Sequence, residues 1–244
     1  MAADDGPRRV QGGRANSRGF DAGLGQRMRD ERMRHGLSLR ELARRVGLSP
    51  SALSQIETGR SRPSVGTLYA IVSELGMSLD ELFAPDGAAD PKVAPRAAGS
   101  ALNGGTATDP VQRAGDRKSI DLESGVRWER LTPTSEPDAD FLYVVYEVGG
   151  ASSKPGTFMR HTGCEYGLVL SGRLRVVIGF EGDHVLGPGD SITFDSSLPH
   201  RLENVGDVPT TAVWFVVGRG GSDARMRDMD AGGRPAPEEE PQPG

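Results

Sequence analysis

From position 49 to 62 the chain reads SPSALSQIETGRSR, a run crowded with side chains that donate and accept hydrogen bonds. At helical spacing Leu53 and Ile56 turn to one face, leaving Ser51, Ser54, Gln55 and Thr58 on another,. These groups suit recognition by hydrogen bonding, and no residue of the chain is assigned a catalytic role. The single thiol, Cys164, excludes an internal disulfide and fits a reducing compartment,. It reads as a small packed hydrophobe rather than a redox sensor.

The segments around this run must hold it in place, and their start and stop signals are plain. A first helix is expected at about 24–35, closed by Gly36,. Ser38-Leu-Arg-Glu41 is a capping box for a second helix, with Leu39, Leu42, Ala43 and Val46 as its apolar stripe,. Gly47 supplies the turn, and Ser49 caps a third helix that has Pro50 at its first position,. Ser64 caps a fourth helix over 65–75, and Ser78-Leu-Asp-Glu81 a short fifth. Two short helices joined by a glycine turn form a helix-turn-helix pattern.

The stretch LSLRELARRVGLSPSALSQIETGRSRPSVGTLYAIVSELGMSLDELF closely resembles XRE-family regulators and related phage repressors. The resemblance implies a five-helix, lambda-repressor-like domain whose third helix enters the major groove of double-stranded DNA. Pro50, Ser51, Ser54 and Gln55 then face base edges, Gln55 being suited to adenine through its amide. Ser49 and Thr58 flank this set. A residue often used to bind phosphate at the start of helix two is Leu39 here, so phosphate anchoring falls to Arg40, Arg60 and Arg62,. The resemblance also implies a buried ion pair between Arg32 and Glu57. One such domain makes few contacts, so a homodimer on half-sites about 34 Å apart is expected.

The net charge of −5 fits DNA poorly until it is divided along the chain. Residues 20–83 carry nine basic against eight acidic groups, whereas 84–244 carry sixteen against twenty-four. The acidity lies outside the DNA-reading segment. Composition divides the chain into a disordered arm (1–20), the helical domain (21–84), an Ala/Gly/Pro-rich flexible linker (85–116), a strand-rich domain (117–219) and a disordered tail (220–244),. Residues 1–23 hold no apolar run, so no export signal or membrane span is expected, and the reading is cytoplasmic,.

From Val126 onward apolar and polar residues alternate in about eight short runs, which suggests a small barrel or jelly roll,. Residues 159–172 (MRHTGCEYGLVLSG) and 186–204 (LGPGDSITFDSSLPHRLEN) resemble the two cupin motifs. The fold expectation is therefore multidomain: a helical helix-turn-helix domain followed by an all-β cupin jelly-roll barrel. The match places three metal-type ligands, His161, Glu165 and His200, while the first histidine of the family's pair is Met159. Two histidines and a carboxylate suit a divalent metal with open positions; the alternative is an organic effector held in a pocket of Met159, His161, Glu165 and His200. His35 and His184 read as surface residues, and Trp128, Phe141, Tyr143 and Trp214 as core or pocket lining.

The function these readings imply is a DNA-binding transcriptional regulator, in the repressor mould, whose cupin domain senses a small-molecule effector. With a flexible linker between the domains, the signal is expected to pass through the dimer interface. A second reading is an iron-dependent oxygenase, since the ligand set also resembles that of helix-turn-helix cupin epoxidases of phosphonate metabolism. A third is an architectural regulator whose barrel is closed by side chains.

Overall fold

Serine hydroxyls fix where the helices begin. Ser38, Ser49, Ser64 and Ser78 accept hydrogen bonds from the backbone N–H groups of Glu41, Ala52, Thr67 and Glu81 at 3.1, 3.1, 3.2 and 3.2 Å,. In the computed structural model, which describes residues 17–83, 109–134, 136, 139–179 and 182–218, the helices are α1 (Ser17–Arg34), α2 (Leu39–Arg45), α3 (Pro50–Glu57), α4 (Val65–Glu74) and α5 (Leu79–Leu82). The expected tail, the arm up to residue 16 and the linker over 85–108 lie outside the described residues.

Two helical expectations change. α1 starts at Ser17 rather than near Leu24, because extending a formed helix needs hydrogen bonds but no apolar stripe. The fifth helix is a single turn, so the domain has four helices of any length and one capped turn. Gly25 explains how tightly α1 crosses α3: a Cβ there would lie 2.4 Å from the Ile56 carbonyl oxygen. Leu24, Met28, Leu42, Leu53, Leu68 and Ile71 fill the centre of the bundle.

The C-terminal part forms two antiparallel sheets. The larger has the order β1 (Ser119–Leu122), β2 (Val126–Arg130), β3 (Ala139–Tyr146), β9 (Thr210–Val217), β4 (Cys164–Ser171) and β7 (Ser191–Asp195). The smaller has β6 (Gly182–Leu186), β5 (Leu174–Ile178) and β8 (His200–Asn204). The expected closed barrel is instead a pair of open sheets, with the chain between β3 and β4 adding isolated bridges to β8 at Met159↔His200 and Ala151↔Glu203. β1, unforeseen from sequence, adds an edge beside β2.

Alternation sorts the side chains of the large sheet. Leu142, Val144, Tyr146, Val169, Ala212, Trp214 and Val216 point inward against Leu174, Val176, Ile178 and Leu202 of the small one,. Each fully buried side chain of this kind contributes about 1.5–3 kcal/mol. Phe141, expected in the core or pocket, faces outward and is exposed, because its neighbour Leu142 takes the inward position. It meets Phe215 edge-on at 5.8 Å, and Tyr166, Leu168 and Leu170 continue this exposed apolar row.

The two parts touch directly. The Gly66 N–H of α4 donates to Ser152 O at 3.1 Å, and the Glu123 N–H donates to Pro63 O at 2.9 Å. The Arg130 guanidinium lies over the Phe83 ring, 6.0 Å from its centroid. Buried side chains of both parts form one continuous cluster.

Candidate functional site

The first site is the open edge of α3. Leu53 and Ile56 are buried and Ser54 is half-buried, while Ser49, Pro50, Ser51, Gln55 and Thr58 are exposed. Two of the hydroxyls are committed to the helix: Ser49 is the cap, and Thr58 Oγ1–H donates to Ser54 O at 2.8 Å. The loop that follows is pinned by the Arg60 and Ser61 N–H groups, which both donate to Gln55 O, at 2.8 and 3.2 Å. Arg40, Arg60 and Arg62 are exposed around this edge. Arg62 also reaches back to the β sheets, its Nη2 3.8 Å from Asp121 Oδ2.

The edge is held rigid from behind. Arg32 Nε and Nη2 donate to the two oxygens of Glu57 at 2.7 and 2.9 Å, and Nη1 donates to Leu37 O at 2.8 Å. The pair is buried, as the resemblance implied. The hydrogen bond to Glu57 raises the Arg32 pKa further, against the opposing effect of burial. By contrast Arg44 and Arg45 share the Glu41 carboxylate, Arg45 also meeting Glu74, and together they hold the Glu41 carboxyl at about 2.

The second site lies between the sheets. His161, Glu165 and His200 offer one ligand atom each, all within 4.8 Å of one another, and all three are buried. Glu165 Oε1 lies 2.8 Å from His161 Nε2 and 3.1 Å from His200 Nε2. The other ring nitrogens face carbonyls: His161 Nδ1 lies 3.1 Å from Thr162 O, and His200 Nδ1 2.8 Å from Leu198 O. A carbonyl can only accept, so each Nδ1 carries a proton, and each ring turns its Nε2 toward the carboxylate. Accordingly Oε1 and both Nε2 atoms are buried without a hydrogen-bond partner.

Buried polar atoms without partners are costly in a dry site, and a cation among them would relieve the cost. The donor set, two imidazoles and a carboxylate, fits a divalent transition ion, and the locked Nδ1 atoms are the outer contacts such ligands need. Burial alone would raise the Glu165 carboxyl, but the two facing imidazoles outweigh it and hold it below the ordinary carboxylate range. Burial, with the Glu165 charge nearby, pushes the Tyr146 phenol well above its usual value, so it stays neutral. Met159 is buried and pairs by backbone with His200, its N–H donating to His200 O and its O accepting from the His200 N–H, each at 3.0 Å.

Trp128 and Trp214, read from sequence as core or pocket lining, do line this site, whereas Gly167 and Tyr69 carried no sequence signal. Trp214 Nε1–H donates to Glu165 Oε2 at 2.7 Å. The indole fits because Gly167, its register partner on β4, has no side chain: a Cβ there would meet the ring at 2.2 Å. Tyr69 of α4 stacks on His161, with ring centroids 4.1 Å apart and 17° between planes. The remaining cavity, lined by Val65, Tyr69, Trp128, Met159, Glu165 and Trp214 among others, holds about 20 Å³. Cys164 points away from Glu165, and His35 and His184 are exposed, as expected.

An exposed polar edge on α3 with arginines beside it, and a β part carrying the buried polar cluster, are the features of a two-part DNA-binding regulator. Family profiles agree: one described as helix-turn-helix matches residues 28–82, and one described as cupin domain matches 142–216. The chain belongs to the family of XRE-type helix-turn-helix transcriptional regulators with a cupin domain. It is 31% identical over 184 residues to the HTH-type transcriptional regulator SutR of Escherichia coli, covering 75% of this chain and 88% of SutR. It is 27% identical over 187 residues to the regulator PuuR of the same species, covering 75% of this chain and 90% of PuuR. A crystal structure of an HTH_3 family regulator from Vibrio cholerae shares the fold at TM-score 0.56 and 23% identity, covering 83% of this chain and 98% of that one.

Proposed function

We propose that this regulator reads its operator through the exposed edge of α3, with Gln55 contacting bases and Arg40, Arg60 and Arg62 contacting phosphates. A homodimer in the cytoplasm, bound across two half-sites, accounts for specificity that one small domain cannot supply. The outward row of Phe141, Tyr166, Leu168, Leu170 and Phe215 offers an apolar surface for the second copy,. The lambda-repressor-like arrangement and the jelly-roll character of the β sheets belong to the same reading.

The cupin part acts as the sensor and not as an enzyme. The observation that carries the sensor is the trio of unpaired buried atoms, His161 Nε2, Glu165 Oε1 and His200 Nε2. These residues would hold a divalent metal ion, whose positive charge would satisfy all three. Met159, which stands at the first histidine position of the cupin motif, leaves the protein with three ligands and at most a soft thioether as a fourth. A cavity of about 20 Å³ leaves little space for an oxygenase substrate beside them,.

Genomic footprinting of the purified protein tests the DNA-binding half, with a discrete pair of half-sites as the expected result. Metal analysis of protein purified without chelators, beside the His161→Ala variant, tests the sensor. Near one equivalent in the parent and little in the variant supports the metal; less than a tenth of an equivalent in the parent ends it.

A further inference from the structure

The roof of the cupin site belongs to the DNA-binding domain. Tyr69 and Val65 line the cavity from α4, and Tyr69 lies flat on the ligand-type residue His161 while tilting against Trp128 at 5.5 Å. Gly66, between them in sequence, donates its N–H to Ser152 O, and a Cβ at that position would come within 3.2 Å of the Met159 Cβ. Tyr69 and Val65 are almost completely buried. The helix that seals the pocket thus starts two residues after Pro63, directly behind the loop carrying Arg60 and Arg62.

Beneath this roof the space, about 20 Å³, is that of about one water molecule,. Pockets for organic ligands usually enclose about 300–1,000 Å³. Trp128, Trp214, Tyr146 and Met159 occupy the volume such a ligand would take. Yet Glu165 lines this space, and its Oε1 and the adjoining Nε2 atoms of His161 and His200 lack hydrogen-bond partners. A filled apolar cavity with unsatisfied ligand atoms suits a small, strongly charged occupant.

We propose that the signal this protein reads is a divalent metal ion itself, with no more than a water-sized companion, and that Tyr69 conveys its presence to α4. The inference rests on the reading of His161, Glu165 and His200 as metal ligands. Metal binding at Nε2 withdraws electron density from the His161 ring and gives it cationic character. The face of Tyr69 lies within the reach at which an aromatic ring attracts a cation,. The loaded site therefore grips α4 more strongly than the empty one, and this difference in affinity is what shifts the domain arrangement. Tyr69 is a positioning residue, acting on the helix through its ring.

The full chain, stripped with a chelator, is titrated with Co(II) alone and followed by visible absorption and by amide hydrogen exchange. The Gly66 amide is the direct reporter, since its hydrogen-bond acceptor lies across the junction. One Co(II) should bind, and exchange at Gly66 should slow on loading. Tyr69→Ala should weaken Co(II) binding about two- to thirtyfold and abolish the slowing, while Tyr69→Phe, which keeps the ring, should preserve both. Tight Co(II) binding with unchanged exchange at Gly66 in the parent protein overturns the relay and leaves the ligand site standing. Failure of the parent to bind Co(II) removes the ligand site and the relay together. The parent and Tyr69→Phe measurements decide the matter even if Tyr69→Ala does not fold.

Discussion

The indole N–H of Trp214 and the Oε2 of Glu165 are joined across β9 and β4 by a 2.7 Å hydrogen bond, which leaves Oε1 alone to face His161 and His200. One carboxylate oxygen is thereby fixed and the other aimed. Outer contacts of this type usually govern metal affinity by about ten- to a hundredfold. Trp214→Phe removes the donor and leaves a buried acceptor unpaired, at a stability cost of about 1–3 kcal/mol. Co(II) affinity should fall by about ten- to a hundredfold, measured by competition with a chelator. An unchanged affinity in a folded variant would take Trp214 out of the site.

The Arg32–Glu57 pair is a second place where removal of one partner strands the other. Both side chains are buried, and Glu57 takes two hydrogen bonds from the guanidinium. Arg32→Met should destabilise the chain by about 3–5 kcal/mol, because a carboxylate remains in an apolar setting. The double variant Arg32→Met with Glu57→Leu should recover most of that loss, since an apolar pair of similar volume is often as stable as the ion pair. Urea unfolding of the three proteins gives the comparison. A double variant no better than the single one would mean that the pair itself holds α1 against α3.

These two contacts differ in how far they could be read from the amino-acid order. The serine caps, Gly47 and the apolar stripes are local chemistry, visible within a few residues, and the helix starts at Ser38, Ser49 and Ser64 follow from them. The grouping of His161, Glu165 and His200 came from the resemblance to the two cupin motifs. Trp214 was visible only as a large apolar residue, because its bond to Glu165 depends on the register of β9 against β4. Tyr69 is harder still. Within α4 it looks like any core position, and its stacking on His161 arises only when two segments far apart in sequence dock. Phe141 went astray by one residue in the alternation, enough to move a side chain to the other face. The direct seat of α4 on the sheets escaped a reading that took the intervening linker as the only connection.

A pH effect follows from Glu41, whose carboxyl is held at about 2 by hydrogen bonds from Arg44 and Arg45. Its folded value lies below the ordinary 4.5, so it adds stability above 4.5 that is lost as pH falls toward about 2,. The group lies half-buried at the surface, where salt screens the effect and keeps its size small,. The difference in melting temperature between the parent and Glu41→Gln should shrink as pH is lowered through that window at low ionic strength. A difference that stays constant from pH 5 to 2 would remove the carboxylate's charge as its source.

Gln55 and Arg60 should fail in different ways, and that contrast tests the DNA interface most directly. The Gln55 amide is exposed on the edge of α3 and can hydrogen-bond to a base, so Gln55→Ala should cost about 1–3 kcal/mol on the operator and leave random duplex binding unchanged,. Arg60 sits in the loop that Gln55 O pins, exposed and suited to a phosphate. Arg60→Ala should weaken operator and random duplex alike, and reduce the slope of log affinity against log salt by about one. Fluorescence anisotropy at several salt concentrations separates the two patterns. Equal losses on both DNAs for Gln55→Ala would turn the α3 edge from a reader of sequence into a contact with the backbone.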